Sequence, residues 1–380
     1  MRVETPASAP VPQHPALVVL RVGDPEEPEC SSVYRWRVSA AGSSRLVDIS
    51  RRDPCTADVH LAPQEDYIAK VVRLDPTKAP ALGQTRVRVR QLVVVSFGDS
   101  VASGEGNRAG NKPHWEDASR CNRSAIAGPR QAADRISSAE DHALVTFFHV
   151  ACTGAWIDGV GAPQQWHPNI FPLLPESPAQ SSQVAAFEKR IHSNAGEVLV
   201  LLSIGANDIG FGPILRFCLG LKTIVRACYK QKLAHLPLDE LVASRLAELR
   251  QSYDRLAGVE PFRDSRVFVT EYFDPLHDGS AHICSVLTIS KNEAAWAERN
   301  VIRPLNAMVR AEAEARHWIF VPGIAKAFES HGYCSKHSWI VHASKAFLRR
   351  NWTGPFHPNA LGQAEYGRRI FAAVKPYLGP

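Results

Sequence analysis

Ser100 and His357 stand where covalent chemistry can be done. Ser100 closes Phe97-Gly98-Asp99-Ser100, directly after the apolar run Leu92–Phe97. Open α/β sheets form their ligand sites at the carboxyl ends of strands, so a serine there is well placed. Its hydroxyl is a weak nucleophile until a base takes the proton. His357 is the candidate base, in Phe356-His357-Pro358-Asn359 ahead of a helix that Asn359 can cap. Gly-Asp-Ser by itself is also an ordinary turn tripeptide, so the reading depends on what the other strand ends carry.

Two further strand ends carry matching groups. Ser203-Ile204-Gly205-Ala206-Asn207-Asp208 breaks an apolar run into Gly, Asn and Asp, and the Asn207 carboxamide can donate to an oxyanion. Ala151-Cys152-Thr153-Gly154-Ala155 offers Gly154, whose bare backbone can approach a reacting group closely. With the Ser100 N–H these make three donors for the tetrahedral intermediate of acyl transfer.

In order along the chain, Gly98-Asp99-Ser100, Cys152-Thr153-Gly154, Gly205-Ala206-Asn207-Asp208 and His357-Pro358-Asn359 resemble the four blocks of the SGNH hydrolases, the GDSL-type esterases and lipases. Ser103-Gly104-Glu105-Gly106, Cys121-Asn122-Arg123-Ser124 and Ala151–Ala155, with the later paired cysteines, resemble the secreted actinobacterial lipase branch. The resemblance covers about residues 91–380. It implies a flavodoxin-like three-layer α/β/α fold and a serine-type carboxylic ester hydrolase with no metal and no cofactor. Its substrate would be a lipid or small acyl ester. Ser100 and His357 would be catalytic, with Ser100, Gly154 and Asn207 as the oxyanion hole. One position departs from the family pattern. The usual acid three residues before the histidine is replaced by Gly354, so the expectation is a dyad in which the Gly354 carbonyl orients the imidazole, as in similar secreted members.

Five apolar strand candidates alternate with helical segments from residue 91 onward: Leu92–Phe97, Leu144–His149, Val198–Ile204, Val267–Tyr272 and Trp318–Val321. Such alternation argues for a parallel sheet covered on both faces. An amphipathic helix is marked by Leu238, Leu241, Val242, Leu249, Tyr253 and Leu256; Asn292–Arg316 and Asn359–Tyr377 also read as helices. Residues 1–90 instead give short β-like runs at Ala16–Val22, Val33–Val38, Leu46–Ile49, Tyr67–Leu74 and Thr85–Arg90. They read as a small immunoglobulin-like sandwich with Trp36 in its core and Asp66-Tyr67 placed like a tyrosine corner. The very short link to Leu92 predicts a rigid junction and a structural role. A polysaccharide or surface contact is the alternative role for this unit.

The eight cysteines form no C-x-x-C pair, which disfavours zinc and redox motifs and favours disulfides. Chain order suggests Cys30–Cys55, Cys121–Cys152, Cys218–Cys228 and Cys284–Cys334, hence an oxidising compartment, secreted or periplasmic. The first thirteen residues lack the apolar run of a secretory signal, as expected once such a signal has been removed. Apolar stretches fall short of the ~20 residues of a membrane span.

The net charge of +6 is spread along the chain, which gives nucleic-acid binding little support. Asp99 and Asp208 are expected to bond nearby backbone N–H groups rather than to act as a glycosidase pair. The histidines His114, His149, His167, His277, His282, His331, His337 and His342 lack metal-site spacing and read as structural or surface groups. Arg216, Lys222, Arg226, Lys230 and Lys232, in a segment that could roof the acyl pocket, would meet a substrate phosphate or carboxylate or form a solvated helix face, and Trp115, Trp156 and Trp166 would line an apolar cleft or serve core packing or a domain contact. Two rivals use the same layout: a carbohydrate O-acetylesterase, and a non-catalytic binding protein on a hydrolase scaffold.

Overall fold

The strand that leads to Ser100 is buried at every position from Gln91 to Gly98. Its run Leu-Val-Val-Val-Ser-Phe has no polar alternation because both faces of a parallel sheet are covered. The computed structural model describes residues 16–22, 32–62, 65–78, 82–107, 121–140, 143–158, 182–191, 196–220, 226–344 and 354–378.

The first part of the chain forms β1 (Ala16–Arg21), β2 (Tyr34–Ala40), β3 (Ile49–Asp53), β4 (Thr56–Leu61), β5 (Asp66–Arg73) and β6 (Leu82–Arg88). They pair antiparallel in two three-stranded sheets, ordered β1-β4-β3 and β2-β5-β6. Strand β4 was not anticipated, although its buried Ala57, Val59 and Leu61 alternate with Asp58 and His60. It is the central strand of its sheet. The run at Leu46–Ile49 contributes only a bridge from Leu46 to Ser39, and regular pairing begins at Ile49. Trp36 is half-buried and packs against the apolar cluster instead of filling its centre. The Tyr67 hydroxyl accepts from the Ala62 N–H at 3.1 Å and donates to Glu65 at 2.7 Å.

Strands β7 (Arg90–Gly98), β8 (Ala143–His149), β9 (Glu197–Ser203), β12 (Arg266–Thr270) and β13 (Ile319–Val321) form a parallel sheet in the order β13-β12-β9-β7-β8. A small antiparallel hairpin, β10 (Lys232–Leu233) and β11 (Leu236–Pro237), lies between β9 and β12 in the chain. Counted along the sheet this is the flavodoxin order 2-1-3-4-5, whose direction reverses between β7 and β9. The helices that matter below are α1 (Ser100–Ser103), α2 (Gly128–Ala139), α3 (Gln183–Glu188), α4 (Phe211–Cys218), α5 (Leu238–Ala257), α6 (Lys291–Ala297), α7 (Arg303–Ala315), α8 (Ile324–Phe328) and α9 (Ala360–Val374). Helix α2 packs with α9 and α5 with α7; because parallel crossovers are right-handed, the reversal of direction at β7 sends the two pairs to opposite faces.

Only Val89 separates β6 from β7. Leu144 of β8 belongs to the same apolar cluster as Leu20, Val38, Val59, Leu61, Tyr67 and Ala69 of the antiparallel sheets. Arg90 adds ion pairs to Glu197 at 2.9 Å and Glu140 at 3.6 Å. Six of the described cysteines form Cys121–Cys152, Cys218–Cys228 and Cys284–Cys334; Cys55 is disulfide-bonded as well, and Cys30 of the first expected pair lies outside the described residues. Among the described residues no helix is long and apolar enough to cross a membrane.

Candidate active site

The turn after β7 depends on a glycine. Gly98 has φ +141°, and a Cβ there would sit 2.2 Å from the Ser203 carbonyl oxygen at the end of β9. With that contact open, the Asp99 N–H donates to the same oxygen at 3.0 Å, and the chain enters α1. Asp99 caps α1, its Oδ1 accepting from the Val101 N–H at 2.9 Å. This is the backbone role expected of it. Ser100 opens the helix at the β7/β9 switch point.

His357 reaches this turn from the other end of the chain. It precedes α9, whose cap Asn359 accepts from the Leu361 and Gly362 N–H groups at 2.9 and 3.2 Å. The His357 Nε2 lies 2.7 Å from Ser100 Oγ. Its Nδ1 lies 3.3 Å from the Gly354 carbonyl oxygen. A carbonyl can only accept, so that contact puts the proton on Nδ1 and turns a basic Nε2 toward the serine. Among the described residues no carboxylate bonds to Nδ1. The approach of the two loops is fixed by Asn107, whose Nδ2 donates to the Pro358 carbonyl at 2.7 Å, and by Gln363, whose Nε2 donates to the Val101 carbonyl at 3.2 Å. Gly106, at φ +88°, faces Gly354 so closely that a Cβ would meet its Cα and oxygen at 3.1 Å.

The glycine and asparagine blocks meet beside the same turn. The Cys152 N–H donates to the Gly98 carbonyl at 2.9 Å. Gly154 adopts φ +76°. Asn207 donates one amide hydrogen to the Ala155 carbonyl at 2.9 Å, and its nitrogen carries a second. Asp208 accepts from the Ile157 N–H at 2.9 Å, again the backbone role expected of it. Glu105, fully buried, accepts from Thr153 Oγ1 at 2.6 Å and Asn122 Nδ2 at 2.7 Å, which ties the segment after α1 to the glycine block.

The model of the GDSL-like lipase/acylhydrolase family matches residues 96–365, which contain all four blocks. The chain belongs to this family. Its members are ester hydrolases in the broad sense. No match emerged among curated proteins. Among solved structures, phospholipase A1 from Streptomyces albidoflavus NA297 is similar at 21% identity and a TM-score of 0.48, over 75% of this chain and 98% of that one. A Bacteroides fragilis NCTC 9343 protein described as an acylhydrolase overlaps 76% of this chain and 88% of its own, at 12% identity and a TM-score of 0.32.

Around Ser100 of this acylhydrolase the carboxyls are shielded from water. Burial raises Asp99 to about 6, against the opposing effect of hydrogen bonds from Tyr272 and nearby backbone. Burial likewise raises Asp208 to about 7, and the neighbouring Asp158 charge pushes the same way. The Tyr272 hydroxyl donates to Asp99 Oδ2 at 2.5 Å and accepts from the Ala206 N–H at 3.2 Å, so it bridges the serine and asparagine blocks.

Sequence reasoning assigned no role to Tyr272, Gln183, Asn107, Gln363 or Glu105. Each is polar, lies far in sequence from at least one partner, and carries no local signal beyond its neighbourhood. Of the possible wall residues, Trp156 is buried with Arg245 5.9 Å over its ring, and Arg216 lies in the last turn of α4. Trp115, Trp166 and Lys222 lie outside the described residues.

Proposed function

We propose that this acylhydrolase is a serine-type carboxylic ester hydrolase, an esterase or lipase, working through a Ser100–His357 dyad. The observation that carries the reading is the 2.7 Å contact between Ser100 Oγ and His357 Nε2, with Nδ1 facing a backbone carbonyl. A binding protein on this scaffold has no need of a serine hydroxyl held against a basic nitrogen. In the forward step Oγ bonds to the ester carbonyl carbon while its proton passes to Nε2. The tetrahedral oxyanion is held by the Ser100 and Gly154 N–H groups and the second Asn207 amide hydrogen. Collapse expels the alcohol, which takes the proton from Nε2. Water then attacks the acyl-serine by the same route and releases the acid. The Gly354 carbonyl serves as the orienting acceptor in place of an acid, stabilising the imidazolium through its dipole.

Residues 91–380 are read as the catalytic unit. Residues 1–90 are read as an immunoglobulin-like sandwich that stabilises it, since Leu144 of the catalytic sheet shares their apolar cluster. The disulfides support an extracytoplasmic location. The test is hydrolysis of p-nitrophenyl esters from acetyl to palmitoyl by the native chain and by Ser100→Ala. Loss of activity in the variant is expected, and the chain-length optimum separates an esterase from a lipase. A variant as active as the native chain sinks the dyad.

A further inference from the structure

The segment that leaves β12 brings a second group of polar side chains together, apart from the Ser100–His357 pair. Asp274, His277 and Glu298 each offer one ligand atom, and these atoms lie within 4.8 Å of one another. Asp274 and His277 are 6% and 5% exposed. One Asp274 oxygen, Oδ1, accepts from the Leu276 N–H at 2.9 Å. The other, Oδ2, is buried without a hydrogen-bond partner, and so is His277 Nδ1. These two orphaned atoms are 3.8 Å apart, too far to bond each other directly.

Buried polar atoms are almost always paired, so two orphans aimed at one space point to a bridging group between them. Glu298 closes the third side. It begins a π-helical turn, Glu298–Ile302, between α6 and α7, and such turns commonly mark functional positions. Arg303 binds Glu298 Oε1 and fixes the carboxylate. Two carboxylates outnumber that single guanidinium and a neutral imidazole adds a lone pair, which leaves the space favourable to a cation.

We infer that Asp274 Oδ2, His277 Nδ1 and the Glu298 carboxylate bind one divalent transition-metal ion of the zinc class. One imidazole nitrogen and two carboxylate oxygens suit Zn²⁺, with solvent as a fourth ligand. Ca²⁺ requires six to eight oxygens, and an imidazole ligand disfavours Mg²⁺. The Asp-x-x-His spacing completed by a glutamate on a distant helix is not a metal signature in sequence, which is why His277 reads there as structural.

The ion would act on the support of the base and not on the ester. The Pro275 carbonyl accepts from the Tyr333 N–H at 2.7 Å, and the His277 carbonyl from the Cys334 N–H at 3.1 Å. Tyr333 stacks on Phe356, the neighbour of His357, with centroids 5.0 Å apart. A metal at this position clips the loop that backs the base-bearing segment.

The test uses the full chain, stripped with a chelator and titrated with Zn²⁺ by calorimetry and with Co²⁺ by visible absorption. One equivalent is expected to bind, with the ligand-field bands of a low-coordinate site. Affinity should fall at least tenfold in Asp274→Asn and in His277→Gln, each confirmed folded by circular dichroism. Glu298→Gln serves if either fails to fold. Absence of saturable binding by the native chain overturns the inference. Binding equally tight in all folded variants also does so, by assigning the metal to surface histidines.

Discussion

Gln183 brackets Gly98 as a neighbouring strand would. Its Oε1 accepts from the Gly98 N–H at 2.9 Å and its Nε2 donates to the Gly98 carbonyl at 2.8 Å. The side chain is fully buried at the start of α3. Gln183→Leu leaves the Gly98 N–H buried and unpaired, at a cost of about 2 kcal/mol. Chemical denaturation should show a lower midpoint at an unchanged slope, together with reduced turnover, because the turn that aims Ser100 is loosened. A variant as stable as the native chain would mean that water or a shifted backbone replaces the amide.

In the proposed mechanism Asn207 donates to the oxyanion more than to the bound ester, and Asn207→Ala removes that donor. The turnover number is expected to fall roughly 100- to 1000-fold with little change in KM. Steady-state kinetics on the best p-nitrophenyl ester measure both. A rise in KM at constant turnover would instead make Asn207 a substrate-binding group.

Tyr272→Phe deletes the hydroxyl shared by Asp99 and the Ala206 N–H. Both partners are left short of a bond in a buried place, so stability should drop by roughly 1–3 kcal/mol. Turnover should drop with it, since the serine and asparagine blocks are no longer tied together. Thermal unfolding and kinetics on the same preparation check both effects.

The buried carboxyls set a pH dependence of stability with a definite sign. Asp208 titrates at about 7 when folded, above its ordinary value of 3.8. A group that holds its proton more tightly in the folded state supports folding while protonated. That support is complete below the unfolded value and is lost as pH rises through about 7. Asp208→Asn keeps an acceptor for the Ile157 N–H and abolishes the titration. Its melting temperature should therefore decline less than that of the native chain between about pH 4 and pH 7. Parallel declines in the two proteins would exclude Asp208 as a source of the pH dependence.

The Cys121–Cys152 bridge closes a loop of 31 residues and anchors the glycine block beside Gly98. Chain-entropy arguments give such a crosslink roughly 3–4 kcal/mol. The double variant Cys121→Ala, Cys152→Ala should unfold at correspondingly lower denaturant. Its activity below the transition should be weaker as well, because Thr153 and Gly154 are no longer held.

Local chemistry makes part of this protein legible from the chain alone. Short unbroken apolar runs rich in β-branched residues and bounded by turn residues suit strands covered on both faces, so the five parallel strands are readable, and each chemical block follows one or precedes a capped helix. Weak alternation misleads in the antiparallel part, where Asp58 and His60 hide the central strand β4. Tertiary structure alone determines that β7 lies between β8 and β9, which carries Ser100 to the switch point opposite Asn207. It also determines which polar residues are buried in pairs. The contacts of Gln183 with Gly98, of Tyr272 with Asp99, and of Asp274 with His277 and Glu298 leave no trace in any local pattern of the sequence. Their roles arise because folding removes water and leaves each polar atom to find a partner from a distant segment, and no short window of sequence contains both members of such a pair.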